Sequence, residues 1–87
     1  MKAYCEYQSD ECTYIRTFLQ STEEEELKWH WDEEDRTIKA IKKTDWQFQF
    51  DNELPISLNK EIFIPKGAMH RVIKGTKDLQ IKIIKHK

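Results

Sequence analysis

The stretch Glu61-Ile62-Phe63-Ile64-Pro65-Lys66-Gly67-Ala68-Met69-His70-Arg71-Val72-Ile73-Lys74-Gly75-Thr76 decides how this chain is read. An apolar, β-rich run ends at Pro65, which has no N–H to give to a ladder and so stands at a strand end or on an edge. Gly67 offers a turn position free to take positive φ. His70 then opens a second run through Val72 and Ile73. The reading is two strands joined by a tight turn, with an imidazole at the first strand position after it. A single histidine placed this way is an ordinary, partly buried side chain more often than it is a ligand.

Upstream, Leu27-Lys28-Trp29-His30-Trp31-Asp32 alternates. As a strand it points His30 and Asp32 to one face and Trp29 and Trp31 to the other. An imidazole and a carboxylate two positions apart, joined across a sheet by His70, make a set of two histidines and one carboxylate. Such a set occupies one side of a divalent metal and leaves positions open. The competing reading of the same residues is a buried polar cluster. In that case Arg36 forks onto Asp32 and the histidines are satisfied by hydrogen bonds.

On these residues the chain resembles a small, single-domain cupin. Pro65, Gly67 and His70 match the Pro-x-Gly-x-x-His centre of the second cupin motif, and His30-x-Asp32 lies where the first motif has His-x-His. The motif's glutamate falls on Arg36, and its two outer glycines fall on Lys43 and Asn59. The resemblance covers about Leu27 to Ile84 and implies an all-β, jelly-roll barrel. It also implies a pocket at His30, Asp32, Arg36 and His70, with His30, Asp32 and His70 as metal ligands. Nitrogen and oxygen ligation suits Zn, Fe, Mn or Ni. The same residues are similar to those of small cupin-like proteins of tailed phages. The His-x-Asp with a later His also resembles the triad of oxoglutarate-dependent oxygenases. Against that stand the short chain and the lack of an arginine beyond Arg71 to hold a cosubstrate carboxylate.

The chain has 87 residues, enough for one domain and one core. Residues 27–87 are expected to form the barrel, and residues 1–26 an N-terminal arm or hairpin with an acidic loop. With 15 basic against 16 acidic residues the net charge is −1, which draws the molecule toward neither nucleic acid nor an acidic partner. Charged residues make up 36%, yet three Trp, three Tyr and four Phe supply the volume of a real core. No apolar run approaches the roughly 18 residues of a membrane span, and the N-terminus lacks an apolar signal region. A cytoplasmic protein is the expectation, and with it reduced thiols at Cys5 and Cys12.

The rest of the chain reads as short β-type runs separated by polar turns. Two lie near the N-terminus, Ala3 to Tyr7 and Tyr14 to Leu19, the second also fitting a helical spacing. Ser21-Thr22-Glu23-Glu24-Glu25-Glu26 has the composition of a helix start but is more simply a solvated loop. After Asp32 the runs are Thr37 to Lys42, Trp46 to Phe50, Ile56 to Leu58, Glu61 to Ile64, His70 to Ile73 and Leu79 to Ile84. That succession is the pattern of a sandwich or barrel. Trp46, Phe48 and Phe50 alternate with glutamines, and Leu79, Ile81 and Ile83 alternate with Gln80 and Lys82, so both runs have one core face.

No nucleophile turn and no Gly-rich phosphate loop occurs, so catalytic residues stay unassigned and no nucleotide cofactor is expected. Lysines from Lys60 onward read as the solvent faces and protected edges of strands rather than as a nucleic-acid footprint. Two adjacent indoles turned out of the barrel, Trp29 and Trp31, call for a cover, either the N-terminal arm or a second copy of the chain. Cupins commonly pair, so the resemblance implies a homodimer. The functional expectation is a divalent metal or a small polar ligand in the pocket. The alternative is a non-catalytic, phage-type protein that engages a host protein through its acidic half or its Trp face.

Overall fold

In the computed structural model, residues 4–23 and 27–86 are described. They form eight strands: β1 (Cys5–Gln8), β2 (Thr13–Phe18), β3 (Asp35–Ala40), β4 (Gln47–Phe50), β5 (Ile56–Ser57), β6 (Ile62–Ile64), β7 (His70–Ile73) and β8 (Leu79–His86). A five-stranded sheet runs β1-β2-β8-β3-β6, and a three-stranded sheet runs β5-β4-β7. All pairings are antiparallel. The molecule is all-β in two sheets, as the alternating runs predict, and takes the jelly-roll form that the resemblance implies. Among the described residues there is no helix, so none is long and apolar enough to cross a membrane.

Strand parity builds the core. Leu79, Ile81 and Ile83 of β8 are buried while Gln80 and Lys82 between them are exposed, and Ile38 and Ala40 of β3 bracket the exposed Lys39. These residues meet Trp46, just before β4, and Phe48 of β4 in one cluster, together with Leu58, Ile62 and Ile64. Trp46 and Phe48 are fully buried, and the Trp46 indole N–H donates to the Lys77 carbonyl. Burial of that indole fixes where the chain enters β4, because its one polar atom has found a partner inside.

The N-terminal hairpin is a structural part of the large sheet. β2 pairs along its whole length with β8, from Thr13 opposite Ile84 to Phe18 opposite Leu79, and β1 adds outside it. The helical alternative for Tyr14 to Leu19 is thereby overturned: edge N–H and C=O groups on β8 offer a ladder that local helical spacing cannot match. Ala3 and Glu24 to Glu26 lie outside the described residues, so the expected start of the first strand and most of the acidic run are not placed.

A second expectation is corrected as well. Leu27 to Asp32 is not a strand; it is an extended loop touching β7 through a single bridge between His30 and His70. Both its hydrogen bonds form, His30 N to His70 O at 2.9 Å and His70 N to His30 O at 2.8 Å. Beyond His30 the chain pairs with the β6–β7 turn instead: the Gly67 N–H donates to the Asp32 carbonyl at 3.0 Å, and the Lys66 N–H to Asp35 Oδ1 at 2.7 Å. Gly67 sits at φ 81°, the left-handed conformation that glycine takes without steric cost. The turn that organises the sequence thus also anchors the loop that carries the other two candidate ligands.

Candidate metal centre

The loop and the β6–β7 turn bring His30, Asp32 and His70 together. One ligating atom from each lies within 4.8 Å of the others. Asp32 and His70 are buried, at 8% and 4% exposure, while His30 is exposed at the mouth. Strand-like parity survives in the loop even without a ladder, since Asp32 turns in while Trp29 and Trp31 turn out.

Each imidazole has one nitrogen committed to the backbone. His30 Nδ1 lies 3.0 Å from the Lys28 carbonyl, and His70 Nδ1 lies 2.8 Å from the Ala68 carbonyl. A carbonyl oxygen only accepts, so in both rings Nδ1 carries the hydrogen, and in the neutral ring Nε2 keeps its lone pair. His70 is held in place further by stacking on Phe48, with centroids 5.3 Å apart, and by an edge contact with His30 at 4.3 Å. Burial pushes the His70 imidazole below its ordinary range, which keeps the ring neutral at pH 7.

Asp32 completes the set in an uncommon way. Its Oδ2 lies 3.3 Å from His70 Nε2, yet that oxygen is buried without a hydrogen-bond partner among the described residues. With the His70 hydrogen on Nδ1, a carboxylate lone pair and an imidazole lone pair face each other across the gap. Two acceptors without a shared hydrogen repel unless a cation or a proton lies between them. The donor set therefore fits a divalent first-row metal: two imidazole nitrogens and one carboxylate oxygen, with both rings oriented by outer hydrogen bonds as metal-bound histidines are.

Arg36 divides itself between two carboxylates, Asp32 and Glu34. NH1 lies 3.3 Å from Asp32 Oδ1, and Nε donates to Glu34 Oε2 at 3.2 Å. The fork onto Asp32 predicted for a self-contained salt bridge is absent, because Glu34 takes the Nε side and Asp35 is engaged by Lys66. The guanidinium beside Glu34 also helps to hold that carboxyl below its usual range, against the opposing effect of burial.

The cluster opens into a cavity of about 360 Å³ walled by both sheets, among them Phe18, Ile38, Phe48 and Ile83. Sequence reasoning missed two charged members of its lining, Lys28 of the loop and Arg16 of β2. For Arg16 the signal was in Tyr14-x-Arg16-x-Phe18, whose parity sets a guanidinium in an inward row.

This two-sheet architecture has known counterparts. Over 98% of this chain, an RmlC-like cupin with a double-stranded β-helix fold from Methanocaldococcus jannaschii superposes with a TM-score of 0.66 at 11% identity, 81% of that protein being covered. The fold is that of the cupins. The DMSP lyase DddQ from Ruegeria pomeroyi matches 98% of the chain with a TM-score of 0.78 at 9% identity, and FeII HppE matches 85% with a TM-score of 0.64 at 10% identity. The chain spans less than half the length of these two cupin-fold proteins, 47% and 41% respectively. No family model and no curated protein matches the sequence.

Proposed function

We propose that this cupin-fold chain binds one divalent metal through His30 Nε2, an Asp32 carboxylate oxygen and His70 Nε2, and admits a small polar ligand to the cavity beside it. The observation that carries this reading is the orphaned Asp32 Oδ2, buried 3.3 Å from an imidazole nitrogen whose ring already donates elsewhere. A divalent cation removes that repulsion and uses both lone pairs at once. A cupin-fold neighbour described as FeII HppE agrees with such use of the scaffold. Once bound, the ion would act as a Lewis acid toward a ligand atom in an open position. His30 at the mouth is the side from which a ligand enters, since Asp32 and His70 are closed in by Phe48 and Arg36.

Titration of the apo protein with Zn(II), Mn(II), Ni(II) and anaerobic Fe(II), followed by calorimetry, tests the assignment. At least one of these metals is expected to bind at one equivalent. His70→Ala should abolish binding, while Lys66→Ala, on the same turn but exposed, should keep it. Equal binding by both variants, or none by the wild type, would overturn the site.

A further inference from the structure

Arg16 is an unusual residue to find in the inward row of a strand. Only 9% exposed, it lies opposite Ile81 of β8 and two positions from the buried Phe18. A guanidinium taken out of water is costly unless its donors are used. Glu6, its partner across β1 and β2, uses them in part: Nε at 2.9 Å and NH2 at 2.6 Å both donate to the same oxygen, Oε1. This is a single-oxygen contact rather than a fork on both carboxylate oxygens. The Tyr4 ring covers one face of the guanidinium at 3.8 Å, leaving the NH1 edge without a protein partner among the described residues.

The same cavity is lined by Arg16 and by the His30, Asp32 and His70 cluster. Strand β8 separates Arg16 from Arg36, and their partners on it, Ile81 and Lys85, stand about 13 Å apart at roughly 3.3 Å per residue. Between the two lies an apolar wall that includes Ile38, Ile81 and Ile83. Charge points the same way. Among the described residues, Arg16, Arg36 and Lys28 are balanced by Glu6, Glu34 and Asp32. A divalent cation adds positive charge that nothing opposite offsets.

We infer that the cavity takes a short, linear organic anion with an oxygen donor at each end, one carboxylate on the free edge of Arg16, an apolar middle against Ile38 and Ile83, and the other end at the metal. The inference rests on the metal reading above and deepens it. The fork of Arg16 recognises the carboxylate, and the metal makes the pocket cationic enough to hold a dianion, so metal and anion reinforce each other's binding.

Co(II) serves as the probe metal, because its visible spectrum reports both uptake and a new ligand. Wild type, Arg16→Met and Glu6→Gln are loaded with Co(II) and titrated with succinate, glutarate and adipate, folding being checked by thermal melts. The wild type should bind at least one of the three with a spectral change, and only when metal is present. Arg16→Met, unbranched and uncharged, should bind Co(II) as the wild type does and the dicarboxylate about tenfold or more weakly. Glu6→Gln, which removes the competing carboxylate and leaves Arg16 in place, should bind it as tightly or more so. Failure of the wild type to take up Co(II) overturns the metal reading and this inference with it. Normal Co(II) uptake with no response to any of the three acids, or with equal affinity in Arg16→Met, overturns the Arg16 assignment alone.

Discussion

Two heteroatoms define the chemistry of this molecule, Asp32 Oδ2 and His70 Nε2, and the protonation of His70 sets its response to pH. Burial holds the His70 imidazole below its usual 6.5, so the unfolded chain takes up a proton there at a higher pH than the folded one does. The stability associated with the neutral ring is therefore whole above pH 6.5 and lost as the pH falls through the folded value. Metal should leave in the same direction, since a protonated Nε2 has no lone pair to give. Denaturation of the apo protein between pH 5 and 8 is expected to show this decline, with His70→Gln flattening that part of the profile. A wild-type profile that rises on acidification would contradict the tautomer assigned to His70.

At the scale of elements, turns and loops do the positioning while strands supply the frame. The loop before β3 places His30 and Asp32 only because the β6–β7 turn receives it through Gly67 and Lys66. A comparable junction closes the other sheet, where Asp45 accepts from the Thr76 N–H at 3.0 Å and the Thr76 hydroxyl at 2.7 Å. These bonds hold the Asp45 carboxyl below its ordinary range. Gly75 lies inside that junction without positive φ; a β-carbon there would overlap Asp45 Oδ1 and stand only 2.5 Å from Trp46 Cδ1. Gly75→Ala must therefore shift the backbone around Trp46, and a loss of about 1–3 kcal/mol in urea denaturation is expected. An unchanged midpoint would show that the junction yields at no cost. Gly67, with open space around it, carries only its φ requirement.

For the whole molecule the small core is the governing fact. A chain of 87 residues buries modest apolar area, so a ligand that binds only the folded state shifts stability visibly. Metal at about one hundred times its Kd adds about 2.7 kcal/mol, on the order of 10–20 °C in Tm for a domain of this size. In Arg36→Ala the shift should be larger. Without metal, Asp32 loses the guanidinium 3.3 Å away, at a cost of about 3 kcal/mol, the lower end for a buried pair because the contact is not a fork. With metal the carboxylate has its cation again. Melts of both proteins with metal and with chelator measure the difference; equal shifts would mean that Arg36 does not share Asp32 with the ion.

The sequence by itself determined the repeating strands, the turn at Gly67 and the inward direction of Asp32 and His70. These depend on side-chain parity and on residues with restricted or special φ, both of which act over a few positions. Periodicity alone misassigned Leu27 to Asp32, because the alternation that turns indoles outward does not require a continuous ladder. Whether backbone groups pair into a strand is decided by what lies alongside, here a turn rather than an edge. Only the tertiary structure decided that β2 joins β8, since pairing partners so far apart in sequence leave no local mark. That pairing carries Arg16 into the cavity of His30, Asp32 and His70. The lone pair left facing His70 is also a tertiary result, because an orphaned acceptor is defined by every neighbour that fails to donate to it.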